Sequence, residues 1–348
     1  MEKTQRLSRA RENWVDTVKI FACILVVLGH FFQSMVKSGV ISHTEFYGWF
    51  NQTIYFFHVP LFFICSGYLF QKFTSVRCFG EWKNNFLKKL LSLAVPYTVF
   101  SVATYVMKVL FSDAVNREAD GLFETLFLNP VSPYWYLYAL IFIFLFTISI
   151  NSNRQAVVFI AVVLVMKGLS FVPGNNIYAL QTVLENEIWF VAGMLICFFE
   201  IPAILQKIKA LWGLLISAAF IAVSVFVYLY TEWSGAIAFG MGVFGCVGVL
   251  LIAIKNEKSS FVSKTVPALA KYTFPVFLMH TIFAAGLRSV LFKIGISNSV
   301  IHIAFGIFIS FLGPIIATVI MSKIKCLEFL LYPNKYIRIG AEKNVKKT

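Results

Sequence analysis

Along this chain, apolar runs of membrane-crossing length alternate with short polar segments, an alternation that predicts helices throughout. Ten spans emerge, at about 15–36, 48–70, 90–111, 133–150, 156–172, 179–199, 211–231, 235–254, 269–291 and 299–321. Each approaches the ~20 apolar residues that carry a helix across a bilayer core. The fifth run is short, and the sixth opens on the polar residues Gln181, Glu185, Asn186 and Glu187. The pattern describes an all-α polytopic membrane protein with about ten transmembrane helices. One membrane domain (15–321) is flanked by a basic N-terminus (1–14) and a basic tail (322–348). No internal repeat or low-complexity tract interrupts it.

Positive charge then orients the spans. With the N-terminus inside, 23 of the 30 Lys and Arg residues fall in inner segments. Three lie in outer loops (Lys37, Arg117, Lys293) and four within spans (Lys19, Lys108, Lys167, Arg288). Short cytoplasmic loops are enriched in such residues, so both termini are expected in the cytoplasm and the number of spans is expected to be even. The net charge of +14 follows this topology and suits attraction to anionic membrane lipid, so nucleic acid is not the implied partner.

Composition supports the class: 59% of residues are hydrophobic and 13% charged, against about a quarter charged in soluble domains. The first run contains Asp16, Lys19 and His30 and ends without a small-residue cleavage site, so it reads as a permanent helix, not a signal peptide. The six cysteines show neither disulfide nor metal-ligand spacing, and no metal site is implied. Trp14, Trp49, Trp135, Trp212 and Trp233 stand near span ends, as interfacial anchors do. The inner segment 72–89 mixes aromatics with cations and is expected to lie on the inner surface as an amphipathic helix. The longest outer loop, 112–133, is mildly acidic.

The chemistry lies in the polar groups inside the spans. At 100° per residue, Asp16, Lys19, Cys23 and His30 fall within about 60° of one another, on one face of the first helix. Lys19 and His30 are roughly 16 Å apart along it. His58 and His280 are expected at a depth similar to that of His30, which suggests a shared cavity. Imidazole titrates near neutrality and can take a proton from a hydroxyl, as acyl transfer to an alcohol requires. Blander readings stand beside these. Lys19 can reach the inner surface and pair with Asp16, and buried histidines can simply bond other helices. Ser66 beside Gly67 lacks a nucleophile elbow and reads as packing. Lys88 and Lys89 open the third span as topology signals or as a cationic mouth for a phosphate-bearing donor. Glu185, Glu187 and Arg288 are acceptor-side contacts or interfacial ion pairs.

The segments WVDTVKIFACILVVLGH, FHVPLFFICSGYLF, FLKKLLSLAVPY, SPYWYLYALIF, IWFVAGMLI and KYTFPVFLMH together resemble the integral-membrane acyltransferase 3 family, in particular its fucose 4-O-acetylase-like branch. The likeness runs in order from about residue 11 to 321. It implies a bacterial plasma-membrane O-acyltransferase that moves an acyl group, usually acetyl from acetyl-CoA, to a sugar hydroxyl of a surface polysaccharide or lipid-linked glycan. The family's first-helix motif is a basic residue, ten residues, then histidine, which are Lys19 and His30 here. The resemblance implies His30 as the catalytic residue and Lys19 as its basic partner, close to the donor. Lysine stands where much of the family has arginine, so a bidentate grip is lost. The resemblance also implies a donor role for Lys88 and Lys89, and Trp135, His58, Ser66, His280, Asp16, Glu187 and Arg288 complete the candidate pocket. Two rivals remain at this stage: a polysaccharide exporter or transporter, and a scaffold of a glycan-assembly complex.

Overall fold

A computed structural model describes residues 12–74, 76, 78–110, 121–174 and 176–339. The outermost basic residues of both termini, Arg77 and the acidic first half of the outer loop lie outside them. Among the described residues there is no strand, and nine helices are long and apolar enough to cross a membrane. They are α1 (Asn13–Lys37), α2 (Glu45–Phe73), α3 (Phe79–Leu110), α5 (Asn153–Ser170), α6 (Tyr178–Phe198), α8 (Ala210–Tyr230), α9 (Gly235–Asn256), α10 (Ser260–Lys293) and α11 (Ser299–Met321). Three shorter helices are α4 (Trp135–Phe146), α7 (Ile201–Leu205) and α12 (Lys325–Leu331). Side-chain oxygens start several spans: Thr44, Ser152, Ser234, Ser259 and Asn298 each accept a first-turn backbone N–H.

The fourth expected span differs from its expectation. The apolar run 133–150 yields only the 12 residues of α4, about 18 Å of helix against a core of ~30 Å. Residues 147–150 continue without helix, and their polar groups find partners on α2 and near the start of α3. Gln71 accepts from the Ile150 N–H at 2.9 Å and donates to its carbonyl at 2.7 Å. Ser149 bonds the Thr74 carbonyl and the Val76 N–H, each at 3.0 Å, and Trp82 Nε1 donates to Leu145 O at 3.0 Å. Non-helical backbone at membrane depth is tolerable where protein satisfies it in this way.

The inner segment 72–89 also departs from expectation. It is not a separate surface helix, because α3 begins at Phe79. Phe79, Trp82 and Phe86 recur at helical spacing, with ring centroids 5.2 and 5.9 Å apart.

α2 occupies the centre of the bundle. Its most apolar window is 78% buried, against 17% for α5, whose Val157, Val162, Leu164 and Val165 face outward. α2 and α6 touch backbone to backbone: a Cβ on Gly67 would stand 1.8 Å from Phe190 O, and one on Gly193 2.0 Å from Ile64 O. Small residues at helix crossings allow this approach.

Both ends of the described chain lie at one end of the bundle. Glu12 ion-pairs with Lys72 at the close of α2 and accepts from Tyr68. Asn334, beyond α12, donates to Lys88 O at 3.3 Å near the start of α3. Charge asymmetry assigns this end to the cytoplasm. Here Lys335 and Tyr336 both bond Glu328, at 2.6 Å each, and hold its carboxyl below the usual carboxylate range.

Candidate functional site

Three helices bring three histidines together. His30 of α1 lies about 25 Å along its helix and about 10 Å from its last residue, in the outer half of the helix and nearer its middle than its end. Its ring centroid is 5.5 Å from that of His280 on α10 and 6.5 Å from that of Tyr55 on α2. Tyr55 in turn meets His58 edge-on at 4.6 Å. His58 Nδ1 lies 2.6 Å from Ile54 O, and His280 Nδ1 lies 3.0 and 2.9 Å from Val276 O and Phe277 O. A carbonyl only accepts, so both Nδ1 atoms carry a proton, and in the neutral ring each Nε2 is left with a lone pair. The Nε2 of His280 is buried with no partner among the described residues. His30 Nε2 lies 3.4 Å from Ser132 Oγ.

His30 and His58 line a cavity of about 710 Å³ with Ser132, Trp135 and Tyr136, within the size range of small-molecule sites. Its remaining wall comes from the end of α5, the outer half of α6 and the start of α9, including Lys167, Glu185, Asn186, Trp189 and Trp233. These elements meet at the end opposite the chain termini, so the cavity lies toward the outer side.

The other expected residues are dispersed. Lys19 lies on the cytoplasmic half of α1, and Lys89 is within Coulombic reach of it. Lys89 also packs its ammonium 4.9 Å from the Phe144 ring, while Lys88 is exposed. Asp16 sits one turn before Lys19, and both are electrostatic neighbours of Cys65. These four groups are outside the lining of the cavity; Lys19, Asp16 and Lys89 lie toward the inner end, and Lys88 is adjacent to Lys89 in sequence. Ser66 lies 2.9 Å from the Tyr136 hydroxyl, which donates to Phe62 O, so Ser66 donates to Tyr136 and joins α2 to α4. Glu187 points away from the cavity, accepting from Thr147 at 2.9 Å, with its second oxygen buried and unpartnered among the described residues. Arg288 bonds Ser34 and ties α10 to the outer end of α1.

Sequence reasoning did not reach Tyr55, Ser132, Asn186 or Trp189 as cavity residues. For Lys167 a signal existed, since a lysine inside an apolar run is costly there. The others carry no such mark, because aromatic and small polar residues are common in spans.

The acyltransferase 3 family model, an acyltransferase domain, matches residues 12–319. The chain belongs to the acyltransferase 3 family. No match was found among curated proteins or among solved structures. Membership makes this a membrane acyltransferase, and the matched range includes Lys19 and His30, the basic residue and histidine expected from the first helix. Those two positions lie in opposite halves of α1, one near the inner Lys89 and one in the wall of the outer cavity.

Proposed function

We propose that the protein transfers an acetyl group from acetyl-CoA, supplied from the cytoplasm, to a sugar hydroxyl of a surface polysaccharide or lipid-linked glycan in a bacterial plasma membrane. The likeness to the fucose 4-O-acetylase-like branch favours such an acceptor. The observation that carries the reading is the placement of His30, which joins an outward cavity walled by Trp135, Trp189 and Trp233 to a helix whose inner end bears Lys19.

In this scheme Lys19, Lys88 and Lys89 attract the donor's phosphates, and its pantetheine arm follows α1 toward the cavity. His30, as general base, takes the proton of the sugar hydroxyl while the oxygen attacks the thioester carbonyl. The new C–O bond forms, the C–S bond breaks, and the proton passes from His30 to the departing thiolate. His280 and His58, each held with its proton on Nδ1, offer Nε2 lone pairs beside His30.

The test is the acetyl content of the host's surface glycan, read by proton NMR in a deletion strain complemented with wild type or His30→Ala at matched membrane abundance. Wild type is expected to restore acetyl signals and His30→Ala to leave none. Restoration by both would make His30 structural. Lost glycan export with unchanged acetylation would favour a transporter instead.

A further inference from the structure

The cavity has a second pole that this chemistry leaves unused. Lys167, in the last turn of α5, donates to the backbone oxygen of Glu185 at 3.2 Å, and its ammonium lies 5.1 and 5.5 Å from the ring centroids of Phe171 and Phe239. The Glu185 carboxylate accepts from Gln181 Nε2 at 2.6 Å, and the same amide donates to Ser170 O at 3.0 Å. A cation and a carboxylate are thus held side by side by separate partners, in the wall that also carries Asn186, Trp189 and Trp233. Asn186 Nδ2 is engaged with Thr182 O at 2.8 Å, which leaves its carbonyl oxygen as the free acceptor.

An ammonium only donates and a carboxylate only accepts. Adjacent hydroxyls on a pyranose ring match that pair, one oxygen accepting from Lys167 and its neighbour donating to Glu185. The apolar face of such a ring suits an indole, whose flat body is large and whose N–H is polar. An anionic sugar would gain Lys167 but meet Glu185, so the offsetting charges favour a neutral one. The volume of about 710 Å³ leaves room for a ring at this pole and a reacting hydroxyl near His30.

We infer that the Lys167–Glu185 pole is an acceptor subsite for a neutral pyranose bearing a vicinal diol. That the bound sugar is the acyl acceptor rests on the function proposed above; that it binds does not.

Intrinsic tryptophan fluorescence of the full chain in nanodiscs reads the binding directly. The probes are methyl glycosides of glucose, galactose, mannose, fucose and rhamnose, their monodeoxy analogues, and methyl galacturonide. At least one neutral glycoside is expected to give a saturable change. Its affinity should fall about tenfold or more in Lys167→Gln and in Glu185→Gln. In the wild type, removing one hydroxyl of the diol should cost a similar factor, and the uronide should bind no tighter than the galactoside. The inference is overturned if no glycoside gives a saturable change, if both variants bind like wild type, or if the uronide binds tighter. His30→Ala should retain the binding. Binding without any acetyl transfer would then remove the catalytic reading and leave the subsite, whereas transfer with an unchanged acceptor KM in both variants would remove the subsite alone.

Discussion

His280 donates through Nδ1 to two carbonyl oxygens of its own helix, and its other ring nitrogen is buried without a partner in a ring 5.5 Å from His30. If that lone pair orients His30 as it accepts the acceptor's proton, the two amide replacements of His280 must behave differently. His280→Gln can put an oxygen near the position of Nε2, while His280→Asn can replace only the Nδ1 contact. The expected result is a loss of kcat on the order of a hundredfold in His280→Asn, a smaller loss in His280→Gln, and an unchanged acceptor KM in both. Equal kcat losses, read from release of free CoA thiol by purified protein, would make His280 a packing residue. At this scale the sequence showed that three histidines share an apolar environment, because a polar residue in a run of Leu, Val and Phe stands out. It did not show their tautomers, which depend on where the carbonyls of Ile54, Val276 and Phe277 lie. Nor did it separate Glu185 from Glu187. The two are only two positions apart, yet at 100° per residue they point about 160° from one another, one into the cavity and one toward Thr147.

The α2–α6 crossing places the His58 side of the cavity against its Glu185 side, and it depends on two glycines. Gly67→Ala or Gly193→Ala would drive a methyl group into a carbonyl oxygen 1.8 or 2.0 Å away, and because both atoms at fault are backbone, no rotamer relieves the clash. Each is expected to destabilise the protein by roughly 1–3 kcal/mol or more, seen as a lower melting temperature by fluorescence-detected gel filtration. Gly286→Ala is the control, since a Cβ there meets nothing within 4 Å and alanine favours helix. Equal melting temperatures in all three variants would remove the crossing as a structural determinant. Apolar length made the long helices legible, yet it overstated α4. The run 133–150 is as hydrophobic as its neighbours, but Thr147, Ser149 and Asn151 invite side-chain bonding. The partners of Ser149 and of the Ile150 backbone, namely Thr74, Val76 and Gln71, lie more than 70 positions away, a pairing that no local period reveals.

Over the whole molecule, the proposed function divides its work along the membrane normal. Lys19 and Lys89 stand within electrostatic reach near the end that holds both chain termini, with Lys88 next to Lys89 in sequence. His30 and the cavity stand roughly 16 Å further along α1. The inner cluster holds lysines without a histidine, and in the cavity the Lys167 cation stands beside the opposing charge of Glu185. Under the proposed function, a donor with a charged head and a long thin arm occupies both and enters from the inner side, arm first. This sets a directional prediction. In proteoliposomes of fixed orientation, CoA release should depend on acetyl-CoA supplied to the face bearing the termini, while the acceptor should be effective from the other face. Lys88→Gln combined with Lys89→Gln should raise the KM for acetyl-CoA about tenfold or more, as loss of a charge-assisted contact does, and the effect should shrink with rising salt if the exposed Lys88 contributes. The acceptor KM should stay unchanged in that variant, just as donor KM should be indifferent to Lys167→Gln. If acetyl-CoA proved equally effective from either face, or if the inner substitutions changed the acceptor KM, the division of labour between the two ends of α1 would be wrong, and both substrates would have to meet in the outer cavity from one side.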